Sequence, residues 1–118
     1  MTIYEVKEAF RIQAKAHGEA TVRGDYKSAN RSYDEIVAHL TLIKSFGAAG
    51  AAALGELTED PDEAVMCWSA THLLESDEGK ALSVLGPLAN KPGPMAFNAR
   101  MVIQQWRKGE LSLPLTNE

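Results

Sequence analysis

Apolar residues recur every three or four positions along most of this 118-residue chain. This spacing places side chains on one face of an α-helix. The pattern predicts a first helix from residue 3 to about residue 22 and a second helix from residue 26 to about residue 46. Gly24 ends the first helix, and Asp25 is a candidate N-cap for the second. Because the connection is so short, we predict an antiparallel helical hairpin at the N-terminus.

Shorter helical segments follow this hairpin. No stretch alternates apolar and polar residues with the enrichment in β-branched residues that strands show, so the fold class is all-α with about six helices. Pro87 is expected to kink the fifth helix or to end it early. Gly50 and Gly55 are small enough to let a neighbouring helix approach closely. The four predicted segments are an Ala-rich helix over 48–57, an apolar central helix from Pro61 to about Glu75, a fifth helix capped at Asp77, and a sixth that begins at Gly93 and Pro94.

A short motif occurs twice, 31 residues apart: LGEL at 54–57 and LGPL at 85–88. Recurring helix pairs are typical of helical-repeat proteins, in which each pair buries its apolar face against the next. We therefore predict one domain over residues 1–111, with the long hairpin followed by two HEAT-like helix pairs in a right-handed α-α superhelix. Residues 112–118 are predicted to form a C-terminal tail.

Residues 54–74, LGELTEDPDEAVMCWSATHLL, resemble a HEAT repeat through their acidic turn with proline and the valine that opens the second helix. HEAT repeats usually carry a basic residue after that valine, where this chain has Met66. The order of several motifs also resembles a small bacterial HEAT-like family of unknown function, over about residues 5–111. This resemblance implies a cytosolic helical-repeat protein, related in some members to the immunity proteins of toxin systems, and it brings no catalytic residues. The motifs are HGEA at 17–20, GD at 24–25, AN at 29–30, WSATHLL at 68–74, ARM at 99–101 and QWRKG at 105–109.

The charge of the chain is unevenly distributed. The net charge is −4, and residues 51–80 hold one basic and eight acidic residues, whereas the flanking segments are slightly basic. This balance argues against a nucleic-acid partner. Because charge complementarity speeds association, the eight carboxylates are candidates for docking a basic protein. The alternative is that they are there only to interact with the partial positive charge at the N-terminal ends of helices. The candidate partner-binding residues are Glu56, Glu59, Asp60, Asp62, Glu63, Glu75, Asp77 and Glu78.

Residue types that carry out catalysis or bind metal are few. The histidines His17, His39 and His72 are far apart and form no metal-binding motif, so neither a metal nor a cofactor is predicted. Cys67 and His72 fall on different faces of one helix, which disfavours a shared chemical role. A single cysteine excludes an intrachain disulfide framework. We therefore predict that the protein is not an enzyme.

The aromatic residues on apolar helix faces are predicted to pack in the core rather than to contact a partner. These residues are Phe10, Tyr33, Trp68, Phe97 and Trp106.

The sequence favours a non-enzymatic protein-binding module. The resemblance points to an immunity protein that neutralises a cognate toxin, and a basic toxin would suit the acidic middle of the chain. The alternative is a HEAT-like adaptor or regulator in a cytosolic complex. A third class, a small enzyme or ligand-binding protein, predicts a polar pocket around His17, His72 and Glu75. The first residues lack the features of a signal peptide and no apolar run is long enough for a membrane span, so we expect a cytoplasmic protein without a membrane partner.

Overall fold

A computed structural model describes residues 1–111, which form six α-helices and no strand. The all-α class and the number of helices are confirmed. The HEAT-like stacking stays a prediction, and the predicted tail over 112–118 lies outside the described residues. The helices are α1 Ile3–Arg23, α2 Tyr26–Ser45, α3 Ala48–Leu57, α4 Glu63–Leu73, α5 Glu78–Ala89 and α6 Pro94–Arg107.

The N-terminal hairpin is fixed by caps at both ends of α1 and at the start of α2. Thr2 and Glu5 form a capping box, in which each side chain accepts a hydrogen bond from the backbone N–H of the other. Gly24 ends α1 at φ +73°, a conformation that glycine adopts without strain. The Asp25 carboxylate then accepts the N–H of Ser28. The two helices consequently turn back on each other and pack along their length.

Two predicted details of the later helices need correction. Pro61 is not the first residue of α4: the helix begins at Glu63, because the Asp62 carboxylate accepts the N–H groups of Ala64 and Val65 and so caps it. Helix α5 also does not end at Pro87 but two residues later, at Ala89, and the kink stays a prediction. Pro87 has no N–H to donate, so α5 lacks the hydrogen bond from this position to the carbonyl of Ser83.

The hydrophobic core lies around α4, which packs against α1, α3, α5 and α6. Helix α4 is buried on more than one face, as its pattern predicts. Every helix contributes buried side chains, so the six helices share one core. Examples are Phe10 from α1, Ile36 and Leu40 from α2, Leu54 from α3, Val65 and Leu73 from α4, Leu85 from α5 and Ala99 from α6.

The aromatic residues do not all lie in the core. Phe10 is fully buried, and Trp68 and Trp106 are partly buried against the core, as predicted. Tyr33 is 40% exposed and Phe97 is 48% exposed, so their assignment to the core was wrong. Phe97 lies two positions from the buried Met95 and Ala99, which turns it to the other side of α6. Tyr33, three residues before the buried Ile36, lies at the edge of the buried face of α2.

Candidate functional site

A cavity of about 230 Å³ opens beside Trp68, between α1, α4 and α6. Among residues 1–111, no charged side chain lines it, and most of its wall is apolar. The cavity is also open to solvent at Met101, which is 39% exposed. We call this cavity the Trp68 groove. Its lining residues are His17, Cys67, Trp68, Thr71, Met95, Asn98, Met101 and Val102.

Three other rings hold the Trp68 indole in place. The His17 ring meets it edge-on with the ring centroids 5.5 Å apart, and the His72 ring stacks on it at 6.2 Å. Tyr33 from α2 adds a tilted contact at 5.8 Å. Aromatic pairs in these arrangements contribute beyond the area that they bury. The aromatic rings of the groove itself are therefore His17 and Trp68, and Tyr33 and His72 support the Trp68 indole from outside it.

The groove is electrically neutral and has no activated nucleophile. Burial lowers the pKa of His17, which favours a neutral imidazole. Burial raises the pKa of the Cys67 thiol to about 11, against a weaker opposing effect of the Thr71 hydroxyl. At neutral pH the thiol therefore stays protonated, and a protonated thiol is a poor nucleophile. Such a groove suits the binding of an apolar group better than bond-breaking chemistry.

The acidic turn before α4 adjoins the groove. Met95 lines both the Trp68 groove and a second cavity of about 630 Å³, whose wall also includes Asp62 and Glu63. A partner segment that fills the groove can therefore also contact Asp62 and Glu63 in the adjoining cavity.

Five of the eight acidic candidates form ion pairs within the chain. Basic residues from α1, α2 and α5 and from the turn after α5 fold onto the acidic segment. Four of the eight carboxylates in residues 51–80 are thus paired with basic residues from outside that segment, and Lys80 within it pairs with a fifth. The pairs are Glu56 with Lys7 at 2.7 Å, Glu59 with Lys80 at 3.1 Å, Asp60 with Arg11, Glu63 with Lys91 at 3.0 Å, and Glu75 with Lys44 at 3.8 Å.

The other three acidic candidates accept hydrogen bonds from nearby groups. Asp62 caps α4, and Asp77 caps α5 by accepting the N–H of Lys80. Glu78 accepts the indole N–H of Trp106 at 2.6 Å. All eight residues are therefore engaged, and they flank the two opposite ends of α4.

Exposure separates the acidic residues that a partner can reach from those that it cannot. The Asp60 side chain is 9% exposed and its pair with Arg11 is internal to the fold, whereas the side chains of Glu56 and Glu59 are 68% and 73% exposed. Exposed ion pairs contribute little to stability, so a basic partner can compete for their carboxylates. Asp60 and Asp62 contribute mainly to the fold, since Asp60 pairs with Arg11 and Asp62 caps α4.

We expect Asp62→Ala to lower the free energy of unfolding by about 1 kcal/mol, because α4 loses the carboxylate that caps it. Asp62→Asn should keep most of that stability, since an amide oxygen can accept the same N–H groups. Urea denaturation of the two variants measures the difference, with Glu59→Ala as an exposed control. Equal losses for Ala and Asn would show that charge, and not capping, is what Asp62 contributes.

The pocket expected around His17, His72 and Glu75 is divided in the structure. His17 lines the Trp68 groove, whereas His72 and Glu75 line a separate cavity with Lys44. Within residues 1–111, no group of three or more His, Cys, Asp or Glu side chains is placed to hold a metal ion. None of the six helices is long and apolar enough to cross a membrane.

Sequence reasoning missed the groove itself. Trp68 was predicted to pack in the core, and Met101 was noted only as part of the ARM motif at 99–101. Tyr33 and Phe97 were assigned to the core as well. No spacing signal marks Tyr33 as exposed, since it lies four residues after Ala29 and three before Ile36, both of which are buried.

Comparison of the chain with protein-family models, curated proteins and solved structures gives no match. The HEAT-like family therefore stays a prediction from the sequence motifs.

Proposed function

We propose that this protein is a non-enzymatic binding module that neutralises a cognate toxin protein in the cytosol. The observation that carries the binding part of the proposal is the Trp68 groove: an open, uncharged cavity lined by the His17 and Trp68 rings. An apolar side chain on the surface of the partner, which becomes buried on binding, suits this groove.

The residue types around the groove support protein binding. Tryptophan, tyrosine and methionine are enriched where proteins bind one another, and the strongest contributions come from anchors in pockets that exclude water. Met95 and Met101 can adjust to a partner because their side chains are flexible. Trp68 and Tyr33 supply rigid surface beside them.

The acidic residues next to the groove favour a basic partner. Glu63 lies beside Met95 in the adjoining cavity, and its pair with Lys91 is half exposed. A partner that inserts an apolar side chain into the groove can also pair its own lysine or arginine with Glu63, in place of Lys91. The net charge of −4 assists the approach of such a partner.

The motif resemblance supports the toxin-neutralising part of the proposal, because some members of that family are related to immunity proteins. A cytosolic adaptor or regulator would use the same groove on a different partner. The two functions differ in what the partner does to a cell when this protein is missing.

The test begins with a pull-down from a lysate of the organism that produces the protein, followed by binding measurements on the purified partner. We expect Tyr33→Ala with Met101→Ala to weaken the complex at least about tenfold, since Met101 lines the groove and Tyr33 packs against its Trp68 indole. Leu42→Ala with Phe46→Ala is the control, because these residues are similarly exposed, at 41% and 36%, and line no part of the groove. Circular dichroism checks that both variants fold.

Co-expression then distinguishes the two functions. If the partner stops growth alone and this protein restores it, while the groove variant does not, the toxin-neutralising function is supported. A harmless partner from a housekeeping complex would favour the adaptor. Equal binding by the groove variant and the wild type would reject the groove as the docking site.

A further inference from the structure

The last two helices of this acidic protein carry a basic segment. Residues 79–109 contain five basic residues and no acidic one, although the net charge of the chain is −4. Two of the five are paired within the fold, Lys80 with Glu59 and Lys91 with Glu63. The other three form no ion pair within residues 1–111, and nothing in the proposed function uses them. They are Arg100, Arg107 and Lys108.

All three of these cations line one open cavity, of about 530 Å³, between the end of α5 and one side of α6. Among residues 1–111, no carboxylate lines this cavity, and two side-chain amides add further hydrogen-bonding groups. We call it the α6 basic cavity. Its lining residues are Gly86, Ala89, Asn90, Arg100, Ile103, Gln104, Arg107 and Lys108.

The cations share one side of α6 because of their spacing. Residues 100, 104, 107 and 108 are separated by four, three and one positions, which places their side chains on one face of a helix. Arg107 and Lys108 lie at the C-terminal end of α6, where partial negative charge favours cations. Arg100 lies in the middle of α6, away from that end, and its Nη1 donates a hydrogen bond to the carbonyl oxygen of Ala89 at 2.8 Å. A guanidinium has five N–H groups, so most of those on Arg100 remain available to a partner.

This cavity and the Trp68 groove lie on opposite flanks of the buried face of α6. Asn98, Met101 and Val102 line the groove, whereas Arg100 and Gln104 line the basic cavity. One surface can therefore be occupied without the other. The basic cavity provides a separate docking surface with the opposite charge preference to that of the acidic turn before α4.

The shape of the cavity argues against two classes of anion. In the described part of the chain no aromatic ring lines it, so nucleobases have nothing to stack on, and the net negative charge repels a long polyanion. The three cationic residues are exposed. A small anion would thus stay largely in water, whereas sites for small molecules bury most of the ligand. A chain segment that lies along α6 can contact all three cations at once.

We propose that the α6 basic cavity docks an acidic segment of a partner protein. The helical rise from Arg100 to Lys108 is about 12 Å, and an extended segment of about four residues covers that distance. Carboxylates along the segment pair with the two guanidinium groups, each of which can bind a carboxylate through two parallel hydrogen bonds. Ile103 lies between the two arginines and contacts the aliphatic parts of the segment.

The first test titrates the whole protein with a blocked peptide of about eight glutamates, which spans the cavity in any register. The comparison ligands are the corresponding glutamine peptide, a uridylate oligomer of the same length, and inorganic pyrophosphate. Backbone amide shifts in NMR spectra are the readout. We expect saturable binding of the glutamate peptide below about 1 mM, with the shifts centred on α6 and the end of α5. Binding should weaken as ionic strength rises from about 10 mM to about 150 mM, since the Debye length then falls from about 30 Å to about 8 Å. Absence of saturable binding, or equal or tighter binding of uridylate or pyrophosphate, would overturn the proposal.

Variants then locate the binding. Arg107→Gln with Lys108→Met removes two charges from the cavity and should weaken binding of the glutamate peptide at least about tenfold, because two charge-assisted contacts are lost. Arg31→Gln with Lys27→Met is the matched control: it removes the same two residue types from exposed positions on α2 that line no part of the cavity. All four substitutions are at exposed residues, and thermal unfolding shows that both variants are folded. Equal losses in the two variants would show attraction by total charge alone and would overturn the proposal.

Discussion

Gly50→Ala is expected to destabilise the protein by at least about 3 kcal/mol. A Cβ at this position would lie 1.9 Å from the carbonyl oxygen of Ile43, which is backbone and not a flexible side chain. That carbonyl is held in place at the end of α2, where it accepts the N–H of Phe46. Helix α3 would have to move away from α2, and core contacts of both helices would be lost.

Gly55→Ala is the matched control because it makes the same change in the same helix. A Cβ there would meet the Lys80 side chain at 3.8 Å, an ordinary contact. Alanine favours a helix over glycine by up to about 1 kcal/mol, so this variant should be as stable as the wild type or more stable. Urea denaturation of both variants gives the comparison. If Gly50→Ala were as stable as Gly55→Ala, α3 would not lie against the end of α2 as described.

Gly50 and Gly55 show which helix contacts can be predicted from the sequence and which cannot. Both were expected to allow close helix approach, and the structure shows such an approach at Gly50 but not at Gly55. Both residues lie in the same helix, and the position of α2 against Gly50 is what distinguishes them. Local signals worked better at helix ends: Asp25 and Asp77 were recognised as caps because a cap depends on residues within one turn.

The charge pattern of the sequence does not show which carboxylates are paired within the fold. The segment 51–80 is strongly acidic in the sequence, but Lys7 and Arg11 lie 49 residues from the carboxylates that they pair with. No local pattern predicts such a contact. The Trp68 groove is missed for the same reason, since His17, Trp68 and Met101 come together only after α1, α4 and α6 have packed. Helices can be predicted from spacing, whereas surfaces formed between helices cannot.

The second large effect is a loss of stability in mild acid, caused mainly by His72. Burial, with a smaller effect of Lys44, lowers the pKa of His72 from 6.5 to about 3. The unfolded chain therefore binds a proton more readily than the folded one as the pH falls below 6.5. Stability from the neutral imidazole is complete above that pH and is lost progressively down to the folded pKa. His17 acts in the same direction, because burial lowers its pKa as well.

We expect His72 alone to cost roughly 2.5 kcal/mol between pH 7.5 and 4.5, a range in which most carboxylates stay ionised. Urea denaturation at several pH values measures this loss. His72→Gln removes the titrating group, so its stability should vary much less over the same range, whatever its stability at pH 7.5. His39→Gln, which removes a histidine from α2 and leaves His72 in place, should keep the wild-type dependence. If His72→Gln lost as much stability in acid as the wild type, His72 would not be buried as a neutral imidazole.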